Sequence, residues 1–251
     1  MNNPGVTVPK SKAEFVAHRL LEKIITSDVA PGISIGTEAD LLQQFDVSRP
    51  TLRESLRILE AQGVLELRPG PKGGIMVTKP GLDTLAHGLS VYLRLHDVPF
   101  IAVLKAREAI EPALASEAAD NATDDDVAAL QDSIDRMKRL EDQAAFIQEN
   151  RNFHSIIARA SGNKVMEIFW STISILAHGE QYGVNYTPKN QEHVAAAHQS
   201  ILDAIKAKDA GLAFTRMDEH VRELEKLVRK RYQYLLTQAT NIVARQGRKL
   251  G

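Results

Sequence analysis

No cysteine occurs among the 251 residues, which excludes disulfides, thiolate metal centres and cysteine nucleophiles and fits a reducing cytoplasm. Any metal centre must then draw on histidine, carboxylate or amide ligands. Long apolar runs are missing too. Lys10, Lys12, Arg19 and Lys23 interrupt the first stretch of chain, and no later segment has the length of a membrane span. The expectation is a soluble, unexported, cytoplasmic protein with no membrane partner. Net charge is nearly absent at -1, which on its own argues against nucleic acid. No HExxH motif and no evident partnered general base accompany the eight histidines, so a metal-dependent hydrolase is the weakest of the readings open to this chain.

What is present is a chain with 43% hydrophobic and 25% charged residues, enough for a real core and most naturally divided into two domains. Its charge is also unevenly distributed. Between Ser48 and Lys79 the basic residues Arg49, Arg53, Arg57, Arg68, Lys72 and Lys79 outnumber Glu54, Glu60 and Glu66, whereas residues 81–231 are net acidic. A phosphate-facing surface, if the chain has one, falls in the first block. The last residues add Arg245, Arg248 and Lys249 with no acid, a basic tail over 236–251.

Hydrophobic spacing predicts a first helix over about 12–27, with Ser11 and Glu14 at capping-box spacing and Phe15, Leu20, Leu21, Ile24 and Ile25 as its apolar positions. After Pro31-Gly32, Thr37 can cap a short helix bearing Leu41, Leu42 and Phe45. A tight connection through Asp46 to Arg49 then leads to a third helix with Leu52, Leu56 and Leu59 on one face, ended by Gly63. Val64–Leu67 and Ile75–Val77 read as short strands around the turn-rich Pro69–Gly74. That order is a winged helix-turn-helix, expected over residues 1–80. Beyond Pro80-Gly81 the pattern is helical, in six or seven segments near 82–96, 99–121, 124–140, 143–161, 164–181, 188–208 and 209–235, with no strand signal and no repeat. The fold class expected is mostly α, a winged helix-turn-helix followed by an all-α bundle over 81–235.

In a helix-turn-helix the N-terminal residues of the second helix of the pair meet bases and phosphates in the major groove. Here these are Ser48, Arg49, Thr51 and Arg53. Arg49 or Arg53 can fork onto guanine, Ser48 and Thr51 suit phosphates and capping, and Arg57 suits backbone. Lys72, Gly73 and Gly74 at the wing tip join a cation to backbone that can approach a phosphate or the minor groove. The competing reading is a solvated face on which Arg53, Glu54 and Arg57 make intrahelical pairs.

In the helical half, Asn150 and His154 share one helix face, and His198 and His220 lie beside apolar stripes of two further helices. Three imidazoles aimed into one bundle can hold a divalent cation with Asn150 as an oxygen ligand; equally, each can be a hydrogen-bonded core histidine. Phe169 and Trp170 read as core rather than as a ligand platform. His178 to Tyr182 reads as a possible lining of the cavity.

The run Thr37-Glu38-Ala39-Asp40-Leu41-Leu42, then Val47-Ser48-Arg49-Pro50-Thr51-Leu52-Arg53-Glu54-Ser55-Leu56-Arg57, up to Val77, strongly resembles the GntR family of bacterial regulators over about residues 10–80. It departs at Ala39, where the family usually carries an arginine. Arg107-Glu108-Ala109-Ile110-Glu111-Pro112, Asn152-Phe153-His154, Ser161-Gly162-Asn163, the His198–Ile205 stretch and Met217-Asp218-Glu219-His220 resemble the FCD effector domain of the FadR subfamily over about 82–230. The resemblance implies a double-stranded DNA operator as partner, a homodimer, and a metal, zinc or nickel, held by Asn150, His154, His198 and His220. It also implies a small organic acid as effector. Many family members have aspartate at the position of Asn150, so the neutral amide leaves the site one unit more positive and favours an anionic ligand. Arg107 corresponds to a family arginine facing the ligand cavity; its other reading is an ion pair with Glu111. The regulator expected from all this is a ligand-responsive repressor rather than an enzyme. A metal-free relative answering to a long-chain acyl-CoA, as the subfamily's namesake does, is the alternative.

Overall fold

A computed structural model describes residues 10–70, 73–177 and 185–237. The chain divides into two compact units, with the division between Thr84 and Leu85.

The first unit begins with α1 (Lys12–Thr26), whose buried face is Ala13, Val16, Ala17, Leu20 and Ile24. This face is rotated from the one the sequence suggested, leaving Phe15 and Ile25 exposed at 50% and 62%. The capping box is only half formed: Ser11 accepts from the Glu14 N–H, but the Glu14 carboxylate turns to the Lys10 N–H. A full box does start α2 (Glu38–Phe45). Thr37 caps Asp40 while the Asp40 carboxylate accepts from the Thr37 N–H, an arrangement worth about 1 kcal/mol.

Helix α3 (Arg49–Ala61) is capped by Ser48 and has Pro50 in its first turn, where the missing N–H costs nothing. Leu52, Leu56 and Leu59 bury its inner face. Gly63, at φ +76°, closes it, with its own N–H bonded to Glu60 and that of Val64 to Leu59. Strands β1 (Leu65–Arg68) and β2 (Gly74–Val77) pair antiparallel, Leu65 opposite Val77. A third pairing had no sequence signal: Ser34 bridges Met76, flanked by Ile35 N–H to Ile75 and Val77 N–H to Ile33, both at 2.9 Å.

The division falls within the first turn of α4 (Leu82–Leu95), and the second unit continues with α5 (Phe100–Asn121), α6 (Asp124–Met137), α7 (Gln143–Ala160), α8 (Lys164–Leu176), α9 (Pro188–Lys206) and α10 (Ala210–Arg231). The starts agree with the sequence pattern because the caps were legible. Thr123 and Thr187 form capping boxes with Asp126 and Asn190. The last helix is shorter than the expected 209–235: Tyr232 leaves helical geometry and Gln233–Leu236 continue as a 3-10 turn that seats Leu235 against Phe100, Leu104 and Val228.

Helix α5 runs through the bundle and packs on α7, α8, α9 and α10. Its Leu114 and Ala115 share a core with Phe153, Ile157, Ile201, Leu202 and Met217, all essentially inaccessible. Burying each large side chain contributes roughly 1.5–3 kcal/mol. Trp170 joins this core as expected, but Phe169 is 55% exposed, because only one of two adjacent helical positions can face inward. Among the described residues no helix is long and apolar enough to cross a membrane.

Candidate functional sites

The DNA-facing candidates of the first unit cluster on α3. Ser48 caps the helix, its Oγ accepting from Thr51 N–H at 3.4 Å and lying 2.8 Å from Thr51 Oγ1. Arg49, Arg53 and Arg57 follow at four-residue spacing, all exposed, so they form one cationic stripe along the outer face. Arg53 does not pair within its own helix. Its Nε and one Nη donate to Glu38 of α2 at 2.9 and 3.3 Å, tying the two helices together with a pair that solvent largely screens.

At the wing, Gly73 is obligatory: a Cβ there would stand 2.0 Å from the Arg68 carbonyl oxygen, and Gly74 follows at φ +144°. Folding of the turn therefore explains both glycines before any DNA contact is invoked. Lys72 lies outside the described residues, as do His178 to Tyr182 and most of the basic tail.

In the second unit three helices bring three histidines together. His154 comes from α7, His198 from α9 and His220 from α10, and their coordinating nitrogens all lie within 4.8 Å of one another. The Nε2 atoms of His198 and His220 are 3.2 Å apart, as are those of His220 and His154. Ligand nitrogens bound at about 2.0–2.1 Å to one ion stand roughly 2.9–3.4 Å apart in octahedral or tetrahedral geometry, so the residues fit a divalent cation. Phe153 holds the His198 ring by stacking at 3.8 Å and 9°. Asn150, one turn before His154, has a buried Oδ1 with no donor, an acceptor that a cation would satisfy.

Electrostatics keep this cluster ready for a metal. Burial, then the repulsion of the neighbouring imidazoles and Arg107, pushes His198 well below the ordinary histidine range. Burial and His154 pull His220 down to about 3. His198 and His220 are thus held neutral, the form that binds metal. Behind them lies a residue that sequence reasoning quoted only as a possible pair for Arg107. Glu111, 2% exposed, is 2.5 Å from His154 Nδ1 and is in direct contact with the Arg107 guanidinium. Burial would raise its carboxyl, but Arg107 and His154 more than offset this and hold it ionised. A carboxylate on the far nitrogen of a ligand histidine fixes its tautomer and raises its basicity. An acid on the helix face of Leu104, Leu114, Ala115 and Ala118 was the signal that could have revealed it.

One member of the cluster, His220, lines a cavity of about 380 Å³ together with Arg107, Asn150 and Tyr186. A smaller recess beside it adds His154 and Trp170. Arg107 therefore satisfies both of its sequence readings at once: it pairs with Glu111 and it faces the cavity.

A winged helix-turn-helix joined in one chain to a helical unit with a histidine cluster at the wall of a ligand-sized cavity defines a class, the DNA-binding regulators. Residues 12–77 match the family of bacterial regulatory proteins described as gntR, and residues 102–223 match the FCD domain. The chain thus carries a GntR-family helix-turn-helix domain followed by an FCD domain. It is 26% identical over 230 residues to the HTH-type transcriptional repressor NanR of Citrobacter rodentium, covering 86% of this chain and 84% of that one. It is 28% identical over 214 residues to the HTH-type transcriptional regulator YcbG of Bacillus subtilis, covering 85% and 88%. Among solved structures, a GntR protein of Streptococcus agalactiae superposes with a TM-score of 0.69 at 25% identity over 86% of this chain and 99% of that one. The matched family and these relatives are transcription regulators, not enzymes.

Proposed function

We propose that the protein is a repressor that binds a pseudo-palindromic operator as a homodimer and releases it when a small carboxylate reaches a metal held in the helical unit. The observation that carries this reading is the convergence of three imidazoles on one point beside an unpartnered amide oxygen. His154, His198 and His220 through Nε2, with Asn150 through Oδ1, would hold zinc or nickel. When bound, the ion supplies positive charge and open positions for an anionic oxygen. Arg107 offers a second charged donor from the same wall, and Glu111 holds both Arg107 and His154 in place. Because Asn150 is neutral, a loaded site keeps its full positive charge, which favours a carboxylate over a neutral ligand.

On the DNA side, Arg49 reads a base edge and Arg57 meets phosphate. These roles separate by experiment. Arg49→Ala should cost about 1–3 kcal/mol on the preferred duplex and relax base preference, whereas Arg57→Ala should weaken all duplexes alike and lower the salt slope by about one. Fluorescence anisotropy on a duplex selected from a randomised pool, and on a scrambled one, measures both. Equal losses on the two duplexes for Arg49→Ala would remove its base contact. The repressor sign is supported by the relative named as a repressor. The coupling demanded is ordinary: about 1–3 kcal/mol shifts DNA affinity 5- to 150-fold.

A further inference from the structure

The cavity has a second, cationic end. Beyond His220, the α10 positions that line it are Val221, Glu223, Leu224, Lys226, Leu227, Lys230 and Arg231, which share one face of the helix at i, i+3, i+4 and i+7 spacing. The wall therefore has a candidate metal ligand at one end, the apolar Val221, Leu224 and Leu227 beside a mutually paired Glu223 and Lys226 in the middle, and basic residues at the far end. The charges are not all spoken for. Arg107 is engaged by Glu111 and Lys226 by Glu223 at 2.6 Å, whereas among the described residues no carboxylate pairs with Lys230 or Arg231. Cations in a last helical turn complement the helix dipole wherever they point. Arg229 in that same turn shows the difference, since it bonds Glu225 instead and does not line the cavity.

Resting on the proposed effector site, the geometry points to an effector with two anionic ends, one carboxylate at the histidine centre and a second anionic group at Lys230 and Arg231. At 1.5 Å per residue, His220 and Lys230 are separated by about 15 Å along α10. Side chains on a helix lean toward its N-terminus, so the two long basic chains reach back toward the metal end and shorten the gap to roughly 10 Å. An unbranched acid of about six to eight carbons spans that distance, with its methylenes against Leu224 and Leu227. A two- or three-carbon acid would reach only one end, and would leave most of the 380 Å³ empty. The second anion can be a carboxylate or a phosphoryl group, since either meets the same two cations.

The test is calorimetric titration of the zinc-loaded full chain with hexanoate, adipate, suberate and 6-phosphonohexanoate. The doubly anionic acids are expected to bind at least about tenfold more tightly than hexanoate, and the tighter of the carboxylate and phosphonate arms identifies the second group. In the Lys230→Ala/Arg231→Ala protein that preference should collapse to within about twofold, while Arg229→Ala keeps it. Equal binding of hexanoate and adipate by the native protein, or a preference that survives the double substitution, overturns the inference and leaves the metal-carboxylate site standing. Failure of every acid to bind the zinc-loaded protein overturns that underlying site, and the inference with it.

Discussion

Replacing His198 with alanine is expected to abolish stable metal binding, taking the zinc retained after desalting from about one equivalent per chain to background. His198 is wholly buried, and its ring is held between Phe153 and the other two imidazoles. Among the described residues, the one group of three side chains able to hold a metal is the one that His198 completes. Losing an outer-sphere partner of a metal ligand already costs 10–100-fold in affinity, so losing a ligand itself should exceed 100-fold. His193→Ala is the matched control. It lies on the same helix and lines the cavity, but it is exposed and outside the cluster, so the variant should retain its zinc. Elemental analysis of both proteins decides the matter. Full zinc retention by the His198 variant would mean that the ion sits elsewhere.

Glu111→Ala should cost the helical unit about 3–5 kcal/mol of stability. The Arg107 side chain is 12% exposed and that of Glu111 is 2%, so removing the carboxylate strands a buried guanidinium. It also removes the acceptor that orients His154, so metal affinity should fall in the same variant, by 10–100-fold. Urea unfolding of the full chain followed by tryptophan fluorescence reads this cleanly, since the sole tryptophan, Trp170, belongs to the helical unit. Pairing the change with Arg107→Met should recover most of the stability but not the metal affinity. That contrast separates the cost of an unpaired charge from the role at the metal. A loss below about 1 kcal/mol would show that Arg107 escapes to solvent and that the pair is not structural.

Much of the fold was legible because its boundaries are chemical. Thr37, Ser48, Thr123 and Thr187 each cap the helix that their position announced, and Gly63 ends α3 through its positive φ. What escaped was set by tertiary context. The face of α1 is chosen by small residues, Ala13 and Ala17, which pack closely where Phe15 cannot. The pairing of Ser34 with Met76 depends on a loop that carries no strand pattern. The end of α10 is dictated by the docking of Leu235, which no local signal encodes. At the site, the three histidines and Asn150 were each visible, but spacing within a helix says nothing about convergence between helices 22 or 66 residues apart. Glu111 was hidden for a related reason: as Arg107's neighbour one turn on it looked like an ordinary helical pair, and only packing of α5 on α7 brings it to His154.

The central claim is that occupancy of the histidine centre by an anion controls the grip on DNA. Its most direct test is the affinity of the full chain for a selected duplex, measured by anisotropy with and without zinc and with and without adipate. Adipate is predicted to weaken binding 5- to 150-fold in the zinc-loaded protein and to have no effect once zinc is removed by chelation. The same affinity in all four conditions would contradict the account.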